Sequence, residues 1–143
     1  MAGIERFEDI EAWKEARNLV REIYHLTGQG ACAQDFGLRD QLQRASVSIM
    51  ANIAEGFDGG SNREFVKFLN YALRSTTEVQ SHLYVAIDQG YIDQQKLESL
   101  YDLSVKVKSL ISGFLRYLRS QPRPSTLEPR PLNLEPCTLN LER

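Results

Sequence analysis

The segment Arg44–Gly56 constrains the fold of this chain more than any other stretch. Placed on a helix with 3.6 residues per turn, its side chains separate into two stripes along the helix axis. The apolar stripe, which Leu38 leads into, consists of Leu42, Ala45, Ile49, Ile53 and Gly56. The flank beside it consists of Arg44, Ser48, Ala51, Asn52 and Glu55. The apolar stripe predicts a helix that packs onto a core along one side.

The polar flank predicts a contact with another surface. Its small residues permit close backbone approach, and polar groups half-inside a core require hydrogen-bonding partners. That partner lies either within the chain or in a second copy of it. The candidate site residues are Arg44, Ser48, Asn52, Glu55, Arg74 and Glu78. Carboxylates near arginines usually form ion pairs, which favours a structural network. A ligand or nucleic-acid site is the alternative.

Four helical segments follow from the spacing of apolar residues and from the breaks between them. They are predicted at Asp9–Thr27, Phe36–Phe57, Ser61–Gln89 and Gln94–Arg119. The stretch from Gly28 to Gly37 is predicted as a loop. The short connection Gly90–Asp93 makes the last two helices antiparallel neighbours. The predicted fold is all-α, an antiparallel up-down-up-down four-helix bundle formed by residues 1–121.

The capping signals and apolar faces refine this prediction. Ser61 and Glu64 form a capping box, and Trp13 is expected to anchor the core. The third helix has an unusually wide apolar face. Its main residues are Phe65, Phe68, Leu69, Ala72, Thr76, Val79, Leu83 and Ala86. The fourth helix has a coiled-coil-like seam of Leu97, Leu100, Ser104, Val107, Ile111, Phe114 and Leu118. Further apolar residues lie beside these seams, at Val47, Met50, Ala54, Leu103, Leu110 and Tyr117. This extra apolar surface favours self-association, because soluble monomers rarely expose large apolar patches.

Residues 122–143 differ in composition from the rest of the chain. They contain all five prolines and repeat a Leu-Glu pair every seven residues, at Leu127, Leu134 and Leu141. Proline at this density is incompatible with a helix interior. The segment is predicted to be a disordered or extended tail, and a partner-binding peptide is the alternative.

Composition and charge bound the possible functions. The net charge is −2 and the pI about 5.7, which disfavours a broadly basic nucleic-acid binder. Cys32, Cys137, His25 and His82 are scattered, so neither a metal site nor a catalytic constellation is predicted. We expect no catalytic residues, no cofactor and no enzymatic activity. With no secretory signal and no apolar run long enough for a bilayer, a cytoplasmic protein without membrane contact is expected.

Several motifs resemble a known family in order and separation. They include Phe7-Glu8, Trp13, Ala16-Arg17, Arg44, Ser48-Ile49, Asn52-Ile53-Ala54-Glu55-Gly56, Glu64-Phe65, Phe68-Leu69, Ser75, Glu78 and Gly90-Tyr91-Ile92. The chain resembles small bacterial four-helix-bundle proteins that were first noticed as open reading frames in intervening sequences of large-subunit ribosomal RNA genes. The resemblance covers about residues 7–118.

The resemblance implies more than the residue pattern does. It implies a four-helix bundle without catalytic residues. It also extends to the accessory proteins of diversity-generating retroelements, which form barrel-like homopentamers and bind a reverse transcriptase and nucleic acid. Two functions therefore remain: a non-enzymatic, homo-oligomeric binding or assembly module, with five subunits implied by the resemblance, and a nucleic-acid-binding accessory protein. A protein partner is compatible with either.

Overall fold

The computed structural model describes residues 3–121, which form helices and no strand. A single 3-10 turn at Phe7–Asp9 comes before the first long helix. The helices are α1 (Glu11–Thr27), α2 (Gly30–Gln34), α3 (Phe36–Asp58), α4 (Asn62–Asp88) and α5 (Gln94–Ser120). The predicted tail, residues 122–143, lies outside the described residues.

The four long helices form an antiparallel bundle in which each helix packs against two neighbours. α1 packs on α3, α3 on α4, α4 on α5, and α5 returns to α1. The closest association is between α3 and α4, which are joined by a three-residue connection at 59–61. Short connections between consecutive helices force them to run antiparallel. The predicted up-down-up-down bundle is confirmed.

The helices begin and end where the sequence provides capping groups. Ser61 Oγ accepts a hydrogen bond from the Glu64 backbone N–H at 3.1 Å, and Asp93 Oδ1 accepts one from Lys96 N–H at 2.7 Å. Gly90 has a φ of 76°, as the turn after α4 requires. Only half of the predicted capping box forms, because the Glu64 carboxylate makes no hydrogen bond back to Ser61 within residues 3–121.

The core is built from the faces that the sequence predicts, with one shift near the end of α5. All eight residues predicted for the main face of α4 are buried. On α5, Leu115 is buried where the seam predicted Phe114, which is only half-buried. The reason is geometric: a 3.5-residue repeat drifts around a straight helix with 3.6 residues per turn.

The predicted loop between the first two long helices contains a short helix instead. Gly30, with a φ of 57°, starts α2, and this single turn places the Cys32 side chain in the core. Burial of Cys32 gives a local reason for helix where the glycines and polar residues of this stretch suggested irregular chain. Trp13, predicted as a core anchor, is half-buried and packs edge-on against Phe7, with ring centroids 5.2 Å apart.

Candidate binding groove

A surface groove of about 890 Å³ runs along α3, between Tyr24 of α1 and the outer side of α4. Its α3 lining is Asp40, Gln43, Arg44, Val47, Ser48, Ala51, Asn52 and Glu55. Its α4 lining is Glu64, Lys67, Phe68, Tyr71, Arg74 and Ser75. We call this feature the α3–α4 groove.

Three polar side chains form a hydrogen-bonded cluster at the floor of the groove, and one of their bonds crosses from α3 to α4. Ser48 Oγ and Ser75 Oγ lie 2.9 Å apart, and Asn52 Nδ2 donates to both the Ser48 carbonyl at 2.8 Å and Ser48 Oγ at 3.0 Å. All three side chains are half-buried. Ser48 of the polar flank therefore contacts α4 of the same chain, while Asn52 bonds to Ser48 on its own helix.

Aromatic side chains give the groove an apolar surface. The Phe68 and Tyr71 rings pack edge to face, with centroids 5.7 Å apart. Tyr71 is 37% exposed, Val47 39% and Tyr24 46%. These three are among only seven large hydrophobic side chains that are exposed within residues 3–121. Their convergence on one groove indicates a contact surface, because isolated exposed apolar residues are normal and clustered ones are informative.

The charges of the groove are balanced. Arg44, Lys67 and Arg74 supply three cations, while the acidic side chains are Asp40, Glu55 and Glu64. The guanidinium of Arg74 lies 5.9 Å from the Tyr71 ring centroid, a cation–π distance. Arg44 is exposed and makes no hydrogen bond or ion pair with another residue in the range 3–121. A mixed-sign surface of this kind suits a partner that also carries both signs.

The structure brings together five of the six candidate site residues. Arg44, Ser48, Asn52, Glu55 and Arg74 line the α3–α4 groove. Glu78 lies outside the lining, and its carboxylate is 3.3 Å from His82 Nε2 on the same helix. The Glu78–His82 pair is one helical turn long and is solvated on one side, as i,i+4 pairs usually are.

Sequence analysis did not assign three further groove residues to the site. Tyr24 and Tyr71 were not singled out, and Ser75 appeared only within a family motif. The spacing of Glu64, Lys67, Tyr71 and Arg74 already put them on one face of α4. What the spacing could not supply is the rotation of α4 that turns this face toward the polar flank of α3.

Among the described residues, two arrangements that carry chemistry are missing from the groove. Within residues 3–121, no three His, Cys, Asp or Glu side chains converge as metal ligands would. Neither histidine lines the groove, so no imidazole lies beside the paired hydroxyls of Ser48 and Ser75. Nucleophilic catalysis by a serine requires an adjacent base.

A second polar cluster lies at the other end of α3 and is structural. Asp35 accepts the α3 N-cap hydrogen bond from Leu38 N–H at 3.1 Å and a second one from the Tyr91 hydroxyl at 2.9 Å. The hydrogen bond to Asp35 is the main cause that raises the pKa of Tyr91 above its usual value. Burial is the main cause that raises the pKa of the Cys32 thiol, and the charge of Asp35 adds to it. Cys32 is thus a neutral core residue.

The family described as 23S rRNA-intervening sequence protein matches residues 8–113, which is most of the chain. This chain belongs to that family. The resemblance in the motifs from Phe7 to Ile92 is thereby confirmed, and family membership assigns no activity. No curated protein matches the chain.

A solved structure supports the fold of the family. It is a protein of unknown function from the S23 ribosomal protein family of Bacteroides thetaiotaomicron, 24% identical in sequence to this chain. The match has a TM-score of 0.67 and covers 73% of this chain and 95% of the other. The similarity concerns the bundle itself. Separately, no helix within residues 3–121 is both long and apolar enough to cross a membrane.

Proposed function

We propose that this protein is a non-enzymatic, homo-oligomeric binding and assembly module, and that the α3–α4 groove is its contact surface. The observation that carries the proposal is the convergence of Tyr24, Val47 and Tyr71 on one groove. Protein contact surfaces are rich in aromatic residues and arginine, and this groove has both.

A second copy of the chain is the partner that the groove suits best. Three cations and three carboxylates on one surface can be matched by the same surface of another copy, or by a mixed-sign surface elsewhere on it. Arg44 is central to this proposal because it has no ion-pair partner within residues 3–121. We expect it to pair with a carboxylate of the neighbouring subunit, with Asn52 and Glu55 beside the contact.

The number of subunits comes from the resemblance described above. A ring of five copies of this 16.3-kDa chain would have a mass of about 82 kDa. The residues themselves support more than one subunit without fixing the number. The relation to accessory proteins of diversity-generating retroelements is likewise a proposal based on resemblance.

Nucleic-acid binding is the second candidate function, supported by the three cations in the groove. Phosphate contacts require an excess of positive charge, and the groove has three carboxylates to set against its cations. A nucleic-acid interface here would show binding to RNA or DNA that weakens steeply with salt. We therefore favour a protein partner, and binding with a steep salt slope would reverse that preference.

The test of the groove uses two tyrosines on α4. Tyr71 lines the groove, while Tyr84 is 51% exposed on the flank of α4 nearest α5 and contacts Tyr101. In sedimentation velocity, Tyr71→Ala should need a protein concentration on the order of tenfold higher to assemble. The reason is that a central aromatic contributes about 1–2 kcal/mol or more to a contact. Tyr84→Ala should assemble like the wild type. Equal behaviour of the two variants would contradict the choice of this surface.

A further inference from the structure

The α3–α4 groove has a chemistry that fits a proline-rich segment containing arginine. Segments of this kind dock into grooves lined by aromatic rings, which contact the proline rings. Here the exposed rings are those of Tyr24 and Tyr71, with Phe68 buried behind Tyr71. Glu64 is the carboxylate that could receive arginine, since Asp40 already lies 3.2 Å from Arg39 Nε. The Glu64 carboxylate makes no hydrogen bond or ion pair with another residue in the range 3–121.

The chain itself contains such a segment. Residues 122–143 hold the motif Pro-Arg-Pro twice, at Pro122–Pro124 and again at Pro129–Pro131. The arginines of the two motifs, Arg123 and Arg130, are seven residues apart. The segment also carries three glutamates, which can face Arg44 and the other groove cations.

Residues 122–143 follow α5 at the end of the bundle where the α3–α4 groove contains Glu64. α4 and α5 are antiparallel, so Ser120 at the end of α5 lies at the same end as Glu64 near the start of α4. Phe65 and Phe114 join these two helix ends, with ring centroids 4.9 Å apart.

The segment is also long enough to reach the groove. Neighbouring helix axes are about 8–10 Å apart, and α4 from Glu64 to Ser75 rises about 16 Å. Ten residues of extended proline-rich chain span about 31 Å. Arg130 is therefore within reach of Glu64, and the following residues within reach of the upper groove.

We propose that residues 122–143 occupy the α3–α4 groove of their own chain, with Arg130 at Glu64. Attachment to α5 gives the segment a high effective concentration at the groove, which favours its own chain over a second copy. The bound segment would compete with the neighbouring subunit, so the full chain should assemble at a higher protein concentration than it would with the groove empty. The inference uses the groove of the proposed function but does not require that the protein self-associates.

Disulfide trapping in the full chain tests this inference. Cys137 lies in the segment, and Cys32 is buried with a raised pKa, so it should not compete in oxidation. Val47→Cys places a thiol in the groove. Val105→Cys is the matched control, because Val105 is 46% exposed on α5 and does not line the groove. Circular dichroism checks that both variants keep their helices.

We expect the intramolecular disulfide with Cys137 to form on the order of tenfold faster in Val47→Cys than in Val105→Cys, owing to the higher local concentration. Adding Arg123→Glu and Arg130→Glu should remove that difference. Equal rates in the two cysteine variants would overturn the proposal, as would a difference that persists after charge reversal. Disulfide-linked dimers as the main product would assign the groove to the segment of a second copy. The mass of the wild-type protein, measured separately, tests self-association whatever the trapping shows.

Discussion

Gly56 of α3 lies directly against Phe68 of α4, so closely that a Cβ atom added to Gly56 would come within 2.7 Å of the Phe68 Cβ. The same atom would lie 3.0 Å from Phe65 Cδ1. Contacts below 3.0 Å between a Cβ and a neighbouring Cβ are relieved only when a helix moves. The close approach of α3 and α4, and with it the floor of the α3–α4 groove, depends on this glycine.

The first prediction concerns Gly56. Gly56→Ala should lower the free energy of unfolding by about 1–3 kcal/mol, because overpacking outweighs the gain in helix propensity. Gly113→Ala is the control: it lies within α5, and the nearest atom to its added Cβ is the flexible end of Arg116 at 3.8 Å. The free energy of unfolding of Gly113→Ala should rise by about 0.5–1 kcal/mol. Urea denaturation measures both, and a stabilised Gly56→Ala would show that the helices separate easily.

The second prediction concerns the core seam. Leu83 of α4 and Ile111 of α5 are fully buried. Leu83→Ala and Ile111→Ala should each lower the free energy of unfolding by about 2–5 kcal/mol, because apolar burial is lost and a cavity remains. Val105→Ala, on the exposed side of α5, should change stability by less than about 0.5 kcal/mol. Chemical denaturation that placed all three variants within error of the wild type would contradict the assigned faces.

The third prediction concerns the hydroxyl pair at the groove floor. Ser48→Ala and Ser75→Ala should each lose about 0.5–1.5 kcal/mol, the usual net value of an intramolecular hydrogen bond. Because the two Oγ atoms are 2.9 Å apart, the double variant should lose less than the sum of the single losses. A double-mutant cycle measures this coupling. Strictly additive losses would mean that the two serines act independently.

Part of the core could be predicted from the sequence, and part could not. The burial of the α4 face was predictable, because eight residues at helical spacing allow few alternatives. The burial of Gln80 was not predictable from the sequence. Its amide Nε2 donates to Ser104 Oγ at 2.9 Å, and Lys108 Nζ donates to its Oε1 at 3.1 Å. A polar residue can enter a core only where partners on the next helix meet it, and a single helix pattern holds no information about those partners.

The candidate site, too, could be predicted only in part from the sequence. The polar flank of α3 was identified from its own spacing, and one of its residues, Ser48, lies within hydrogen-bond distance of Ser75 on α4. Glu78 was listed with this flank as a carboxylate that could pair with arginine, but it lies outside the groove lining and beside His82. Whether two residues on different helices meet depends on helix rotation and relative height, which the spacing within one helix does not define.

The fourth prediction concerns alkaline pH. The pKa of Tyr91 is raised, chiefly by its hydrogen bond to Asp35, so the folded state holds the phenol proton more tightly than the unfolded state does. Stability from this pair is complete below the ordinary tyrosine pKa of about 10 and is lost as the pH rises through the higher folded value. The raised pKa of Cys32 acts in the same direction.

Denaturation midpoints between pH 7 and pH 11 test this directly. The midpoint should fall as the pH rises above about 9, where thiols and phenols begin to ionise. Tyr91→Phe should have a lower midpoint at neutral pH and a smaller alkaline decrease. Tyr84→Phe serves as the control, because the Tyr84 ring is exposed and Tyr91, not Tyr84, bonds to Asp35 of the α3 cap; it should retain the wild-type decrease. Identical alkaline curves for Tyr91→Phe and the wild type would contradict the assigned role of the pair.

The most direct measurement of self-association is the mass of the full chain in solution. Size exclusion coupled to light scattering, at micromolar concentrations, gives that mass without a shape assumption. We expect a multiple of 16.3 kDa, with about 82 kDa for the ring of five. A dimer would keep the groove as a contact surface and exclude the ring. A mass of 16.3 kDa across the whole concentration range would contradict assembly as the function of this protein.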